Sequence, residues 1–318
     1  MAEMNAAVVT SFDEPPHYQR FPVPEPGSPD ELLVDVLAVG LHPRVRTGAS
    51  GSHYTSSGTL PMIPGVDGVG RRPDGRLVYF AADDDVLGTM ADKALVAQGR
   101  SIELPDDVDI AKVAAAMNPA MSSWVALRRR VPIEPGQSVL VLGATGNAGA
   151  MAVQVAKLLG AGRVIGAGRD PERLHALTSI GADHVVALAG DDGALAAAAA
   201  EVDIVIDYVW GEPAQKAIVA LLTARSDRSR RLDWIQIGAI AGPTIELPSV
   251  ALRSANFRLQ GSGQGAVSTA AYVAELPSLV DEIAAGTIAV TPRTMPLADV
   301  ERIWSQPGAP GERTVLVP

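Results

Sequence analysis

Residues 138–149 read S-V-L-V-L-G-A-T-G-N-A-G and lead directly into an apolar helical run, residues 150–159. The first five of these residues predict a short buried strand, because no polar side chain interrupts the Val and Leu run. Gly143, Gly146 and Gly149 then predict a tight turn into a helix, which lets backbone approach a pyrophosphate and directs free helix N–H groups at it. A second predicted strand, Arg163–Gly168, completes a βαβ unit. This context favours a dinucleotide-binding turn over a glycine-rich turn without a ligand.

The whole turn is assigned to cofactor binding. Its residues are Gly143, Ala144, Thr145, Gly146, Asn147, Ala148 and Gly149.

The end of the second strand bears on which dinucleotide is bound. A unit that prefers NAD usually has an acidic residue there, about twenty residues after the turn, for the ribose 2′-hydroxyl. In this chain the position is Gly168, followed by Arg169, with Arg173 one helical turn later. A guanidinium offers forked donors to a 2′-phosphate, so the sequence favours NADP. Two alternatives stay open: both arginines are solvated and paired with Asp170 and Glu172, or a shift of register gives Asp170 the acidic role.

Composition restricts the class of protein. The chain has 318 residues, of which 47% are hydrophobic and 19% charged, and its net charge is -10 at pH 7. This length fits two domains, and the acidic balance argues against a nucleic-acid partner. Cysteine is absent, which excludes disulfides, thiolate metal sites and thiol nucleophiles. The N-terminus lacks a signal-peptide pattern and no apolar run has the length of a membrane helix, so we expect a cytoplasmic enzyme without a membrane partner.

Two patterns of predicted elements divide the chain. Short β-like runs separated by Pro and Gly occur up to about residue 110, and they indicate a compact antiparallel barrel. The clearest runs are residues 6–10, 31–39, 76–80 and 91–96. A helical pattern follows, and strands then alternate with helices, as in a parallel sheet covered by helices. The predicted strands of this part are residues 138–142, 163–168, 184–187, 204–207 and 234–237.

The motifs together resemble one superfamily along nearly the whole chain. They are P-G-V-D-G-V-G (residues 64–70), the glycine turn, L-L-G-A-G-R-V-I-G-A-G-R (158–169), I-G-A-D-H-V-V-A-L (180–188), V-D-I-V-I-D-Y-V-W-G (202–211) and G-E-R-T-V-L-V-P (311–318). The chain resembles the medium-chain dehydrogenase/reductase superfamily, in its zinc-free quinone oxidoreductase-like branch. The resemblance implies an α/β protein with a GroES-like β-barrel catalytic domain, a Rossmann dinucleotide-binding domain and an active site in the cleft between them. The expected boundaries are 1–117 and 258–318 for the catalytic domain and 118–257 for the NADP-binding domain.

The resemblance also bears on metal binding. Zinc-dependent relatives hold a catalytic ion with Cys, His and usually a further Cys. In this chain His42 falls on the first ligand position, Val66 replaces the His of a G-H-E motif, and M-N-P-A-M-S-S (residues 117–123) offers no third ligand. One His with Asp67 cannot provide three protein ligands, so no metal is expected.

The catalytic candidates lie in the first part of the chain. Zinc-free relatives transfer hydride from NADPH to a quinone or an activated C=C bond, which requires a donor toward the oxygen that becomes negative. Tyr54 is the first candidate for that donor, since a phenol donates without being charged; its alternative is a tyrosine that packs at the rim of the site. His53 is adjacent and could replace or assist it. His42, the third catalytic candidate, stands where relatives carry the Asn of N-P-x-D, which contacts the nicotinamide ribose or the substrate region. Here H-P-R-V keeps the Pro but neither the Asn nor the Asp. Asp67 is expected to be structural.

Further cofactor contacts are implied by the same resemblance. Ser122 corresponds to a Thr at a helix start whose hydroxyl faces the nicotinamide. Arg313 stands where relatives carry a Lys or Arg that reaches the cofactor, with a salt-bridged surface Arg as the alternative. Tyr208 and Trp210 follow a strand end and either line the substrate slot or pack at the domain interface. The other expected walls of the cofactor site are Ile237, Gly238, Ala239, Ile240, Gly261, Ser262 and Gly263.

Three functions are therefore considered. The leading hypothesis is an NADPH-dependent reductase of a small quinone or enone, as a homodimer by family analogy. The second is an enoyl-thioester reductase of fatty-acid or polyketide metabolism. The third is a protein that binds NADPH without turnover and acts as a sensor or a structural protein, because a fold alone does not establish activity.

Overall fold

Two units are present in the computed structural model, which describes residues 2–82, 86–188, 192–306 and 311–318. The β-rich unit consists of Met1–Asn118 and Thr269–Pro318, and the parallel-sheet unit of Pro119–Ser268. The second boundary expected from the sequence, 257/258, falls too early. The reason is that the strand Phe257–Gly261 pairs with Leu232–Gln236 and so belongs to the parallel sheet.

Strands from both ends of the chain form the β-rich unit. Its strands are β1 (Glu3–Val8), β2 (His17–Pro22), β3 (Glu31–Gly40), β4 (Asp67–Arg71), β5 (Leu77–Ala81), β6 (Lys93–Ala97), β7 (Ser101–Glu103), β14 (Thr291–Pro296) and β15 (Glu312–Val317). One sheet has the order β14-β15-β3-β4-β5-β7, β6 also pairs with β3, and β1 pairs with β2. All of these pairs are antiparallel except β14 with β15.

Short helices accompany these strands. They are α1 (Pro43–Ala49), α8 (Thr269–Val273), α9 (Leu276–Ala284) and α10 (Val300–Trp304), with 3₁₀ turns at Gln98–Arg100 and Leu297–Asp299. Helix α2 (Ile110–Val125) contains the boundary between the units and continues into one π-helical turn, Ala126–Arg130. Within the unit, apolar side chains such as Val34, Val39 and Phe80 form the core.

The described residues of the parallel-sheet unit form six strands, all parallel to their neighbours. They are β8 (Ser138–Leu142), β9 (Arg163–Gly168), β10 (His184–Ala187), β11 (Ile204–Asp207), β12 (Leu232–Gln236) and β13 (Phe257–Gly261). Their order is β10-β9-β8-β11-β12-β13. This is the strand order of a Rossmann domain. From β8 the chain first adds strands on one side of the sheet and then, with β11, on the other side. The position between β8 and β11 is the topological switch point, and ligands bind there beyond the carboxyl ends of the strands.

Helices alternate with these strands along the chain. They are α3 (Asn147–Leu158), α4 (Pro171–Leu177), α5 (Asp192–Ala199), α6 (Gly211–Ala224) and α7 (Ser249–Arg253), with a 3₁₀ turn at Thr178–Ile180. Strands β8 to β11 have the bounds predicted from the sequence. In β8 and β11 this follows from burial, because buried parallel strands appear as apolar runs. Among the described helices, none is long and apolar enough to cross a membrane.

Candidate active site

The turn after β8 is built from close backbone contacts. Gly143 has φ +81°, a left-handed conformation that favours glycine. Its N–H and that of Ala144 both donate to the carbonyl of Ala167, at 2.9 Å. A Cβ on Gly149 would lie 2.2 Å from the Gly143 oxygen, so only glycine allows α3 to pack this closely on the turn. These are the roles that glycines have in dinucleotide-binding turns.

The start of α3 is suited to an anion. Gly146 is its N-cap residue and no side chain caps the helix. The first N–H groups of a helix have no partner inside it and carry a partial positive charge. The beginning of α3 lies at the switch point of the sheet, so the residues present fit the pyrophosphate of a dinucleotide.

The residues after β9 bear on which side chain contacts the ribose of the cofactor, Arg169 or Asp170. The side chain of Asp170 caps α4 and accepts hydrogen bonds from the N–H groups of Glu172 at 3.0 Å and Arg173 at 3.1 Å. Its carboxylate also pairs with the Arg173 guanidinium at 3.4 Å. Asp170 therefore has a structural role that accounts for its orientation, whereas Arg169 is exposed directly after the buried Gly168.

Close packing also explains why a glycine ends β9. A Cβ on Gly168 would lie 2.5 Å from the Thr145 side chain, so the strand end and the glycine turn are in contact. Arg173 donates to the carbonyl of Thr145 at 3.5 Å, which places its guanidinium beside the same turn. Of the two arginines, Arg173 is therefore the one paired with an acidic residue, because it binds both Asp170 and the Thr145 carbonyl.

Ser122 and Tyr208 form a hydroxyl pair. Ser122 Oγ donates to the carbonyl of Pro119 at 2.8 Å, so the phenol of Tyr208 donates to Ser122 Oγ, also at 2.8 Å. Burial raises the pKa of Tyr208 to about 12, which keeps the phenol protonated. Ser122 lies inside α2 and not at a helix start, which corrects the expectation from the family motif.

Asp207 is a structural residue of this site that the sequence interpretation missed. It is fully buried at the end of β11, and one carboxylate oxygen accepts from the N–H groups of Val209 at 2.7 Å and Trp210 at 3.0 Å. The other oxygen accepts from the indole N–H of Trp234 at 3.0 Å. Burial raises the pKa of Asp207. The sequence signal for this role was an acidic residue at the end of an apolar strand. Asp207 holds the loop that follows β11, in which Trp210 has a positive φ of 51°.

The loop after β12 contacts the Asp207 loop, and the loop after β13 contacts the end of β12. The N–H groups of Ile237 and Gly238 donate to the Asp207 carbonyl at 2.8 and 3.1 Å. A Cβ on Gly238 would lie 2.7 Å from the Tyr208 carbonyl. Ala239 and Ile240 follow in the same loop, and Ile240 is exposed. After β13, Ser262 is buried and its N–H donates to the Gln236 carbonyl at 2.8 Å.

The flanking glycines complete this edge of the sheet. Gly261 accepts a hydrogen bond from Arg130 Nε at 3.0 Å, and Gly263 accepts one from the N–H of Ala266 at 3.0 Å. The parallel-sheet unit thus brings the turn, the Asp207 loop and the residues after β12 to one edge of the sheet.

In the β-rich unit, His42 belongs to a buried polar group. His42 is 3% exposed, and its Nε2 lies 3.2 Å from Asp67 Oδ1. Tyr79 donates to Asp67 Oδ2 at 2.8 Å. Burial lowers the pKa of His42, although Asp67 opposes this shift. Burial also raises the pKa of Tyr79. His42 was a candidate for contact with substrate, and this geometry corrects that expectation: its ring is enclosed and its Nε2 is occupied. Asp67 is structural, as expected.

Arg313 is buried as well, which corrects the alternative of a salt-bridged surface residue. Its Nε donates to the Ala115 carbonyl at 3.3 Å. Burial lowers the pKa of Arg313 to about 10, and the charge of Asp67 opposes that shift. The carboxylate of Asp67 is thereby balanced by a neighbouring cation.

The donor set of this region does not fit zinc. His42 and Asp67 bind each other, and Val66, which precedes Asp67, has no ligand atom in its side chain. Nowhere in the described ranges do three His, Cys, Asp or Glu side chains group as ligands for a metal ion. A protein zinc site requires at least three such ligands.

Two aromatic candidates lie together in the loop after α1. The rings of His53 and Tyr54 have centroids 4.3 Å apart, and Tyr54 is 71% exposed. Thr55 Oγ1 lies 2.9 Å from His53 Nδ1 and accepts a hydrogen bond from Arg44 at 2.8 Å. Burial, together with Arg44, lowers the pKa of His53 to about 4. The sequence interpretation did not include Arg44 or Thr55.

The fold and these sites define a dinucleotide-dependent oxidoreductase of the medium-chain dehydrogenase/reductase superfamily. Residues 148–276 match the family described as zinc-binding dehydrogenase. The chain is 33% identical, over 363 aligned residues, to the protein named probable NADPH-dependent quinone reductase tdiC of Emericella nidulans, and the match covers 99% of this chain and 100% of that protein. The chain therefore belongs to the quinone oxidoreductase-like branch.

Two further similarities bear on function. The quinone oxidoreductase of Thermus thermophilus, whose structure was also solved in complex with NADPH, is 26% identical with a TM-score of 0.82, over 99% of this chain and 100% of that one. A phenolphthiocerol/phthiocerol polyketide synthase of Mycobacterium tuberculosis contains a region that is 26% identical over 342 residues, which cover 98% of this chain and 15% of that protein.

Proposed function

We propose that the protein is an NADPH-dependent oxidoreductase that reduces a quinone or an α,β-unsaturated carbonyl compound without a metal ion. The observation that carries the proposal is the turn of residues 143–149, where glycine packing leaves the start of α3 uncapped at the switch point of the sheet. The names of the Emericella and Thermus relatives support both the cofactor and the quinone.

NADPH selection is assigned to Arg169 and Arg173. Arg169 is exposed at the end of β9, beside the position of the ribose in Rossmann domains. Asp170, the one carboxylate that a shift of register would bring there, is engaged as the cap of α4. A guanidinium stabilises a 2′-phosphate through charge-assisted hydrogen bonds. Arg173 adds a second positive charge beside Thr145, although Asp170 offsets part of it.

Other residues of the parallel-sheet unit shape the cofactor site. We assign Ser122, held by Tyr208, to the nicotinamide end, since both hydroxyls belong to the same unit as the glycine turn. The loops at residues 237–240 and 261–263 are assigned to the walls of the site, because they follow the carboxyl ends of neighbouring strands.

When bound, NADPH would supply a hydride to the substrate and leave as NADP⁺, and one proton from water would complete the hydroquinone or the saturated carbonyl product. The protein then has to stabilise the negative charge that develops on the substrate oxygen. Tyr54 and His53 are the proposed donors, because they lie together in an exposed loop. His42 and Arg313 are assigned instead to the buried group around Asp67.

The enoyl-thioester reductase is kept as a second candidate on one observation. The similarity to the mycobacterial polyketide synthase extends over 98% of this chain. That reaction has the same hydride chemistry and differs in the acceptor, which is a thioester conjugated to a C=C bond.

The test is an acceptor panel with each reduced nicotinamide. We would follow the oxidation of NADPH and NADH with a benzoquinone, a cyclic enone, an aliphatic enone and a crotonyl thioester. Faster oxidation of NADPH with the quinone or an enone is expected, and preference for the thioester would select the second candidate. NADPH binding in a fluorescence titration, with no oxidation by any acceptor, would refute both and favour a sensor.

We further propose a homodimer in the cytoplasm, where NADPH is available. β13 is one of the two terminal strands of the parallel sheet, and Val250 and Leu252 on α7 are exposed apolar side chains. A second copy that extends the sheet at β13 would cover them. Light scattering should give twice the mass of the 33.0 kDa chain, and Leu252→Asp should shift it to the monomer. Cell fractionation tests the location.

A further inference from the structure

The loop after α1 contains a hydrogen-bond chain that determines which nitrogen of His53 carries a proton. Arg44 Nη2 donates to Thr55 Oγ1 at 2.8 Å, and a guanidinium has no acceptor, so the direction of this bond is certain. The Thr55 hydroxyl proton is then available to His53 Nδ1, 2.9 Å away. The backbone N–H of Thr55 also donates to His53 Nδ1, at 3.2 Å. Nδ1 therefore accepts, and the proton is on Nε2.

The surroundings of His53 keep the ring neutral. Half-burial and the positive charge of Arg44 lower the pKa of His53 to about 4. Arg44 is the charged group that acts on the ring. The Tyr54 ring lies beside the imidazole, with the centroids 4.3 Å apart and the planes tilted by 33°. At neutral pH the imidazole thus offers one N–H donor in a fixed orientation and no positive charge.

We propose that the Nε2–H of His53, oriented by Thr55 and Arg44, is the hydrogen-bond donor to the substrate carbonyl oxygen. This inference rests on the proposed function and deepens it by choosing between the two donors in the loop. His53 stabilises the oxygen as it becomes negative and keeps its own proton, because a neutral imidazole is a weak acid. The proton of the product comes from water. Thr55 and Arg44 are positioning residues, and Tyr54 forms a wall against the imidazole face.

The first experiment measures the ring itself and requires no turnover. Long-range ¹H–¹⁵N NMR of the ¹⁵N-labelled protein, with His53 assigned from His53→Gln, should show a protonated Nε2 and an unprotonated Nδ1 at neutral pH. The ring should remain neutral down to about pH 5. In Thr55→Val the Nδ1 acceptor loses its hydroxyl partner, so the pKa of His53 should rise and the Nδ1–H tautomer should appear. A protonated Nδ1 in the unsubstituted protein would overturn the proposal.

The second experiment measures menadione reduction by NADPH. His53→Leu removes the donor and should lower kcat/KM by about 10- to 100-fold, the range for a hydrogen bond to a charged group. His53→Gln keeps an N–H at a similar distance and should restore most of the activity. His184→Leu, which changes an exposed histidine on β10, is the matched control and should match the unsubstituted protein.

The pH profile separates positioning from a general structural effect. Between about pH 5 and pH 8, kcat should show no titration of His53 in the unsubstituted protein. Arg44→Gln, which removes the charge that helps to lower the pKa of His53, should shift the titration toward that range. Equal activity of His53→Leu and the unsubstituted protein would refute the proposal. Absence of turnover in every variant, with the NMR result as expected, would instead refute the proposed function.

Discussion

Replacing Gly149 by alanine is expected to destabilise the parallel-sheet unit, although alanine is the better helix former. Helix propensity alone predicts a gain of about 1 kcal/mol. The added Cβ would lie 2.2 Å from the Gly143 oxygen and 2.6 Å from the Ala144 Cα, and both are backbone atoms. Relief of this overlap must separate α3 from the turn by about 1 Å, and overpacking of this kind costs about 1–3 kcal/mol or more. With the upper value, the net loss is about 2 kcal/mol.

Urea unfolding followed by tryptophan fluorescence measures this loss. Trp124, Trp210 and Trp234 lie in the parallel-sheet unit, so the signal reports largely on it. Thermal unfolding of the same variant should occur about 4–8 °C lower, at 2–4 °C for each kcal/mol in a domain of this size. Ala150→Gly, at the next helix position, is the matched control and should lose about 1 kcal/mol through propensity alone. A Gly149→Ala protein as stable as the unsubstituted one, or more stable, would refute the packing argument.

Three other predictions concern the cofactor, pH and metals. Arg169→Ser should lower kcat/KM for NADPH by about 10- to 100-fold and leave that for NADH nearly unchanged, since it removes a charge-assisted contact to the 2′-phosphate; equal losses with both cofactors would contradict this. Burial lowers the pKa of His42 below its ordinary 6.5, so the unfolded chain binds a proton that the folded chain does not. Stability should therefore fall as pH decreases below about 6.5, and His42→Gln should reduce that slope in urea unfolding at several pH values. Prolonged treatment of the protein with a metal chelator should leave the rate of NADPH oxidation unchanged. Loss of activity that only added zinc restores would disprove the metal-free proposal.

Local sequence patterns were sufficient for much of the parallel-sheet unit. The strands predicted at 138–142, 163–168, 184–187 and 204–207 have the observed bounds, because each is a short apolar run ended by turn or polar residues. The start of β12 was predicted two residues late and its end one residue late. β13 was not predicted as a strand, and the expected domain boundary at 257/258 cuts through it. The five residues of β13 do not by themselves indicate which sheet they join. Their pairing with β12 is a contact between residues that are distant in sequence.

The candidate site was less predictable where buried polar groups meet. His42 and Asp67 are 25 residues apart and Asp207 and Trp234 are 27 apart, and nothing local to any of them shows that they pair. The family motif placed His42 near the substrate, but burial against Asp67 removed it from that role.

The sequence by itself determined the glycine turn, the alternation that produces a parallel sheet, and the arginine at the end of the second strand. These depend on backbone freedom and apolar periodicity over a few residues, which the chain carries locally. Only the tertiary structure decided that Asp170 caps a helix, that Asp67 is balanced by Arg313, and that Arg44 and Thr55 orient His53. Hydrogen bonds, charges and burial depend on neighbours in space, and the fold supplies those neighbours.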